Sequence, residues 1–172
     1  IANRKPLLPQ NFQRLHRVSK PTHATMTIVY HWLWQLPCGC NDDAGRVIGY
    51  SRRLVTKPIA MDPHDPCPCQ HGASYDVCCK PLHDGQAAPT AERLMRSRYA
   101  AYVLKFDAYL FATWHPSTRP SSVDLDTPKW LGLQVRHHQE TGDTATVEFV
   151  ARYKVGGKAH RLHEVSRFIR ED

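Results

Sequence analysis

The sequence predicts an α+β domain opened by a small metal-binding module, and three features carry that prediction. Apolar side chains recur at helical spacing over residues 91–105. From Leu131 to Arg170 they alternate at strand spacing, with Gly156-Gly157 marking a tight turn. Ahead of both, Cys67, Cys69, Cys78 and Cys79 fall close together. A chain of 172 residues, 41% hydrophobic and 23% charged, is long enough for one such domain with its own core. No apolar run approaches the roughly 18 residues of a membrane span.

Residues 1–60 read differently from the rest. They carry nine Lys and Arg against two Asp and Glu, whereas residues 61–172 carry fourteen of each. The folded part is therefore expected to be neutral, which argues against nucleic acid as its partner. Pro6, Pro9, Pro21, Pro37 and Pro58 interrupt the first segment, and it shows no sustained period. Met61 stands just before the cysteines. Residues 1–60 are thus expected to be disordered or an upstream segment, with Met61 as the natural start. A basic tail and a nucleic-acid-binding arm are the other readings. The short apolar stretch Met26–Leu36 is followed by Pro37-Cys38 rather than a small-residue cleavage site, so the expected location is cytoplasmic.

The module spans residues 61–85. Adjacent Cys78 and Cys79 cannot comfortably bridge each other, and four thiolates at this spacing suit one structural zinc ion in tetrahedral coordination. Pro66 and Pro68 stiffen the first ligand pair, and Gly72 supplies a positive φ where the turn needs one. His71 and His83 are alternative ligands, expected beside the site or on the surface once four cysteines are engaged. A redox role for Cys78-Cys79 is the competing reading. Cys-Pro-Cys, the glycine turn, Tyr75 and Cys78-Cys79 resemble the SEC-C zinc motif, best known from the tail of the SecA translocation ATPase. That motif's turn usually reads Gly-Ser-Gly-Lys, where this chain has Gln70-His71-Gly72-Ala73. Its last ligand is often His, where this chain has Cys79.

The helical elements follow. Thr90 is an N-cap for a helix from Ala91 to Lys105, with Glu92 and Lys105 at the ends their charges favour. Leu94, Met95, Tyr99, Tyr102, Val103 and Phe106 form its apolar stripe, and Arg98 falls inside it. A second helix is predicted from Asp107 to Trp114, before Pro116 and Pro120.

The strands come last. Leu131, Leu133 and Val135 alternate in the first, and Val147, Phe149, Ala151, Tyr153 and Val155 in the second. A two-residue Gly156-Gly157 turn sets Val155 opposite Lys158, Ala151 opposite Leu162 and Phe149 opposite Glu164. Glu164 and Arg98 then lie on apolar faces that meet, and the expectation is that they pair. They form either a structural buried ion pair or the polar anchor of a small-molecule pocket. Tyr99, Tyr102, Trp114 and Trp130 are candidate walls of that pocket. His115, after the second helix, can act as acid or base but more often such a histidine caps carbonyls. His163 faces away from Glu164. There is no phosphate loop, nucleophile elbow or His-x-x-x-His pattern.

Several blocks are similar to the YchJ-like family of uncharacterised bacterial proteins: Leu94-Met95-Arg96-Ser97-Arg98-Tyr99, Thr113-Trp114-His115-Pro116, Glu148-Phe149-Val150-Ala151-Arg152-Tyr153 and His163-Glu164-Val165-Ser166-Arg167-Phe168. The resemblance covers residues 66–172. It implies a nuclear transport factor 2-like domain over residues 86–172, helices packed on a curved antiparallel sheet, after a SEC-C module. The family continues past Glu171-Asp172 with an aromatic strand, so the last strand is expected to be missing. No reaction is implied. The expected function is a zinc-binding interaction or adaptor protein, docking a protein or ribosomal partner through the module. The alternative is a small-molecule binder or enzyme using the domain's cavity.

Overall fold

The computed structural model describes residues 58–170 and the backbone of Val29–His31. In chain order the elements are β1 (Val29–His31), α1 (Lys80–His83), α2 (Ala91–Leu104), α3 (Asp107–Ala112), β2 (Lys129–Thr141), β3 (Thr144–Val155) and β4 (Lys158–Ile169). The sheet order is β1-β4-β3-β2, with β2, β3 and β4 antiparallel and β1 parallel to β4. Val29–His31 pairs with Arg167–Ile169, so the outer edge of β4 has a neighbour there. The other expectations for residues 1–60 lie outside the described residues. Among the described residues, no helix is long and apolar enough to cross a membrane.

α2 starts where its orphan N–H groups find acceptors. Thr90 is extended and its hydroxyl accepts from Arg93 N–H at 3.2 Å. Glu140, reaching from β2, accepts from Ala91 N–H at 2.9 Å. The helix stops one residue short of the expected end, because Lys105 turns left-handed (φ 62°) and donates its N–H to Ala101 O. α3 ends at Ala112 rather than Trp114, with the Thr113 hydroxyl turned back onto Tyr109 O.

Burial of α2 differs from the expected single stripe. Leu94, Met95 and Tyr99 pack on the sheet with Val147, Phe149, Ala151 and Phe168. Ala100 and Leu104 pack on the cysteine module, and Ala101 packs on Tyr109 and Leu110 of α3. Tyr102, Val103 and Phe106, expected in the stripe, are only partly buried. With three partners, the helix needs small side chains on the faces where backbones approach.

The β3–β4 hairpin has the expected register, Val155 opposite Lys158 and Phe149 opposite Glu164. Both turn residues take positive φ, Gly156 at 56° and Gly157 at 80°, as a type I′ turn requires. β2 departs from simple alternation. Its pairing with β3 shifts between Trp130 and Gly132, so Trp130 and Leu133 face the core while Leu131 is 41% exposed. One extra residue reverses parity, which strict alternation cannot foresee.

The two acceptors at the start of α2 serve different N–H groups, so their losses should add. Thr90→Ala is expected to cost about 1 kcal/mol in urea unfolding, and Glu140→Ala a similar amount. A double variant no less stable than either single variant would show that the caps are not independent.

A candidate metal centre

Two strands of chain bring the cysteines together. A bridge between Pro66 and Ser74 opens the loop, and Cys67 N–H donates to Ala73 O at 3.0 Å. Within it, Gln70 and Gly72 take positive φ (59° and 100°), so Gly72 has the conformation its type permits. Cys78 N–H donates to Ser74 O at 3.0 Å, and Cys79 forms the N-cap of α1.

The four Sγ atoms all lie within 4.8 Å of one another, and all four residues are buried. Cys69 and Cys78 are 3.5 Å apart and Cys78 and Cys79 3.9 Å. Tetrahedral thiolates at a metal–sulfur distance of about 2.3 Å would stand about 3.8 Å apart, so the quartet fits a metal ion of zinc's size. The thiols are free, and a disulfide needs about 2.05 Å. Hydrogen bonds from Cys69 and Cys79 draw the Cys67 thiol down, while Cys69 and Cys79, which donate to Cys67, are pushed up. One thiolate is thus stabilised by its neighbours. Four together need a cation at their centre.

The quartet is clamped to the domain. Arg93 donates through Nη1 to Cys78 Sγ at 3.4 Å and through Nη2 to Cys78 O at 2.7 Å. Arg96, held by Glu92 at 2.7 Å, reaches Cys69 O at 3.3 Å. Gln70 Oε1 accepts from Leu133 N–H at 3.1 Å, at the shift in β2. A Cβ on Gly132 would stand 3.0 Å from that same oxygen, so glycine leaves room for the contact.

His83 is a link rather than a member of the quartet. Its Nε2 faces Ser97 O at 2.9 Å, which can only accept, so the proton sits on Nε2. Nδ1 therefore accepts from Tyr75 OH at 2.8 Å. Burial lowers the His83 imidazole and keeps it neutral, and its ring abuts Phe106 and Tyr109. His71 is exposed. Arg93, Arg96, Gln70 and Gly132 were not singled out from sequence. The available signal was two arginines one helical turn apart, preceding the small residues Ser97, Ala100 and Ala101.

The other candidate residues divide. Tyr99, Tyr102 and Tyr153 each place a ring 5.5 Å from Trp130. Arg98 is buried against the Trp114 ring, 4.7 Å away, and donates to Leu110 O at 2.9 Å and Thr113 Oγ1 at 2.6 Å. Glu164 is buried on the core face and accepts from the Ser166 hydroxyl. Arg98 acts on Glu164 through its charge, but both have hydrogen bonds elsewhere. His115 accepts on Nδ1 from Ser117 N–H at 3.1 Å, in the loop after α3.

Residues 90–172 match a family model described as "YchJ, middle NTF2-like domain". A UPF0225 protein of Ralstonia nicotianae is 60% identical over 120 residues, covering 66% of this chain and 83% of that protein. A UPF0225 protein of Xanthomonas oryzae pv. oryzae is 54% identical over 119 residues, covering 66% and 92%. Among solved structures, a SEC-C motif containing protein from Rhodopseudomonas palustris is 39% identical with a TM-score of 0.56, covering 62% of this chain and 90% of its own. A second, from Psychrobacter arcticus, is 32% identical with a TM-score of 0.54, covering 62% and 73%.

Burial raises the Glu164 carboxyl above its ordinary range, and the Ser166 hydroxyl and Arg98 charge only partly oppose it. With the folded value raised, its contribution is complete below the unfolded value near 4.5 and is lost as pH climbs through the folded value. Glu164→Gln has no such dependence. Its stability relative to wild type should improve steadily as pH rises from 4.5, read as urea midpoints. A difference constant with pH would contradict the raised carboxyl.

Proposed function

The chain belongs to the UPF0225, YchJ-like family, and on that premise we propose that it is a zinc-stabilised interaction protein. A SEC-C module over residues 61–85 presents a docking surface from a nuclear transport factor 2-like domain over residues 86–172. The observation that carries this reading is the closed thiol quartet, held by α2 through Arg93 and Arg96. Four soft ligands buried on all sides leave no open coordination position, which favours a structural zinc over a catalytic one. Structural zinc contributes roughly 10–16 kcal/mol of binding energy that also serves as folding energy. The two register shifts in β2 support a sheet curved around the aromatic side of the domain.

The outer side of the module supports a protein partner. Val77 is 67% exposed, and the module carries Asp62, Asp65, Asp76 and Asp84 against one lysine, Lys80. An exposed apolar side chain on a module of net negative charge suits a basic protein, a ribosomal protein among them. The small-molecule alternative has less support, because Arg98 and Glu164 spend hydrogen bonds on Thr113, Leu110 and Ser166.

Metal analysis of the full chain should give one zinc per molecule, and the Cys67→Ser/Cys78→Ser double variant should give none and lose the near-ultraviolet signature of the module. Val77→Asp should keep the zinc and abolish specific capture of a basic partner. A well-folded wild-type protein without zinc would sink the proposal.

A further inference from the structure

The outer face of the sheet, opposite the core, holds a concentration of positive charge that no fold requirement explains. Register sets Arg152 of β3 directly across from Arg161 of β4, and Lys154 of β3 across from Lys129 of β2. Lys158 stands at the adjoining turn, where its pairing with Val155 puts it on the other face, and all five are exposed. Like charges directly opposite on a sheet destabilise it. Among the described residues none of the five enters an ion pair or a side-chain hydrogen bond. On the outer face of β2, β3 and β4 the carboxylate is Glu148, and His163 lies 2.7 Å from it. The neutrality of residues 61–172 conceals this separation, since four acids sit in the module and five cations at this end of the sheet.

We propose that this face binds the phosphate backbone of double-stranded RNA, without reading bases. Two repulsive pairs side by side become favourable when a polyanion lies across them. Of the exposed large apolar residues Ile59, Val77 and Leu131, Leu131 lies on β2 beside the face, between Lys129 and Gly132, and it is aliphatic. Without an aromatic platform, stacking on single strands is not served. One aliphatic side chain beside these cations is not the cluster of anchors that a membrane surface or a protein hot spot uses. B-form DNA is read by an element entering its major groove, and this sheet face supplies none, since the β3–β4 hairpin runs only one residue pair beyond the end of β2. A-form RNA has a major groove too narrow to enter and is recognised by shape and phosphates, which a cationic strand surface suits. The reading is independent of the zinc module and revises the expectation that the folded part avoids nucleic acid.

The test is fluorescence anisotropy of the full chain with a labelled RNA hairpin across a salt series. Neutralising about four phosphates predicts a slope of log K against log salt on the order of −3 to −4. Arg152→Gln/Arg161→Gln should weaken binding at least about tenfold and reduce the slope by about two. Its melting temperature should hold or rise, because a repulsive pair is removed. Lys80→Gln, in the module, should bind as wild type does. Binding that survives the double substitution would belong to the nine Lys and Arg of residues 1–60 and would overturn the proposal. So would equal or tighter binding of a DNA duplex, binding only to phosphatidylglycerol vesicles, or no binding of the hairpin at low salt.

Discussion

The packing of α2 against three partners is the constraint on which the rest of the molecule depends. One side meets the sheet, one the thiol quartet and one α3, so the helix has almost no free surface along its middle turns. Ala100 and Ala101 are fully buried because larger residues would push two of these partners apart. The same helix supplies Arg93 and Arg96, which hold the carbonyls of Cys78 and Cys69. The thiol quartet and the folding of the domain are therefore linked through one element. A four-cysteine loop has little core of its own, and here it borrows one from α2.

Polar groups at the seams are matched rather than omitted. Ser97 donates to Leu94 O and accepts from Tyr109 OH, which joins α2 to α3 beneath the point where His83 meets Ser97 O. Burial pushes the Tyr75 and Tyr109 phenols up, so both remain donors. A chain of hydrogen bonds thus runs from the cysteine loop through Tyr75, His83 and Ser97 to Tyr109. Each member has a fixed donor or acceptor role, and a matched buried network favours one docking geometry over others.

Charge is distributed by face rather than by domain. Acidic residues cluster around the module and cations at one end of the outer sheet face. Net charge averages these opposite fields to zero, although a partner meets each locally. The two surfaces therefore present fields of opposite sign.

By itself the sequence determined the grouping of the four cysteines, the helix start at Thr90 and the β3–β4 register. Each rests on local chemistry: thiol spacing, a capping hydroxyl, and a Gly-Gly turn coupled to strict alternation. The placement of Arg98 and Glu164 in the interior followed from the same periodicities. Only the tertiary structure decided that Leu131 turns outward, since a register shift leaves no mark in composition. It also decided the roles of Arg93, Arg96, Gln70 and Gly132, which meet residues up to 63 positions away in sequence. The pairing of like charges across strands belongs to the same class. Periodicity specifies which face a side chain takes, but contact between distant faces depends on how the elements pack, and that is a property of the whole chain.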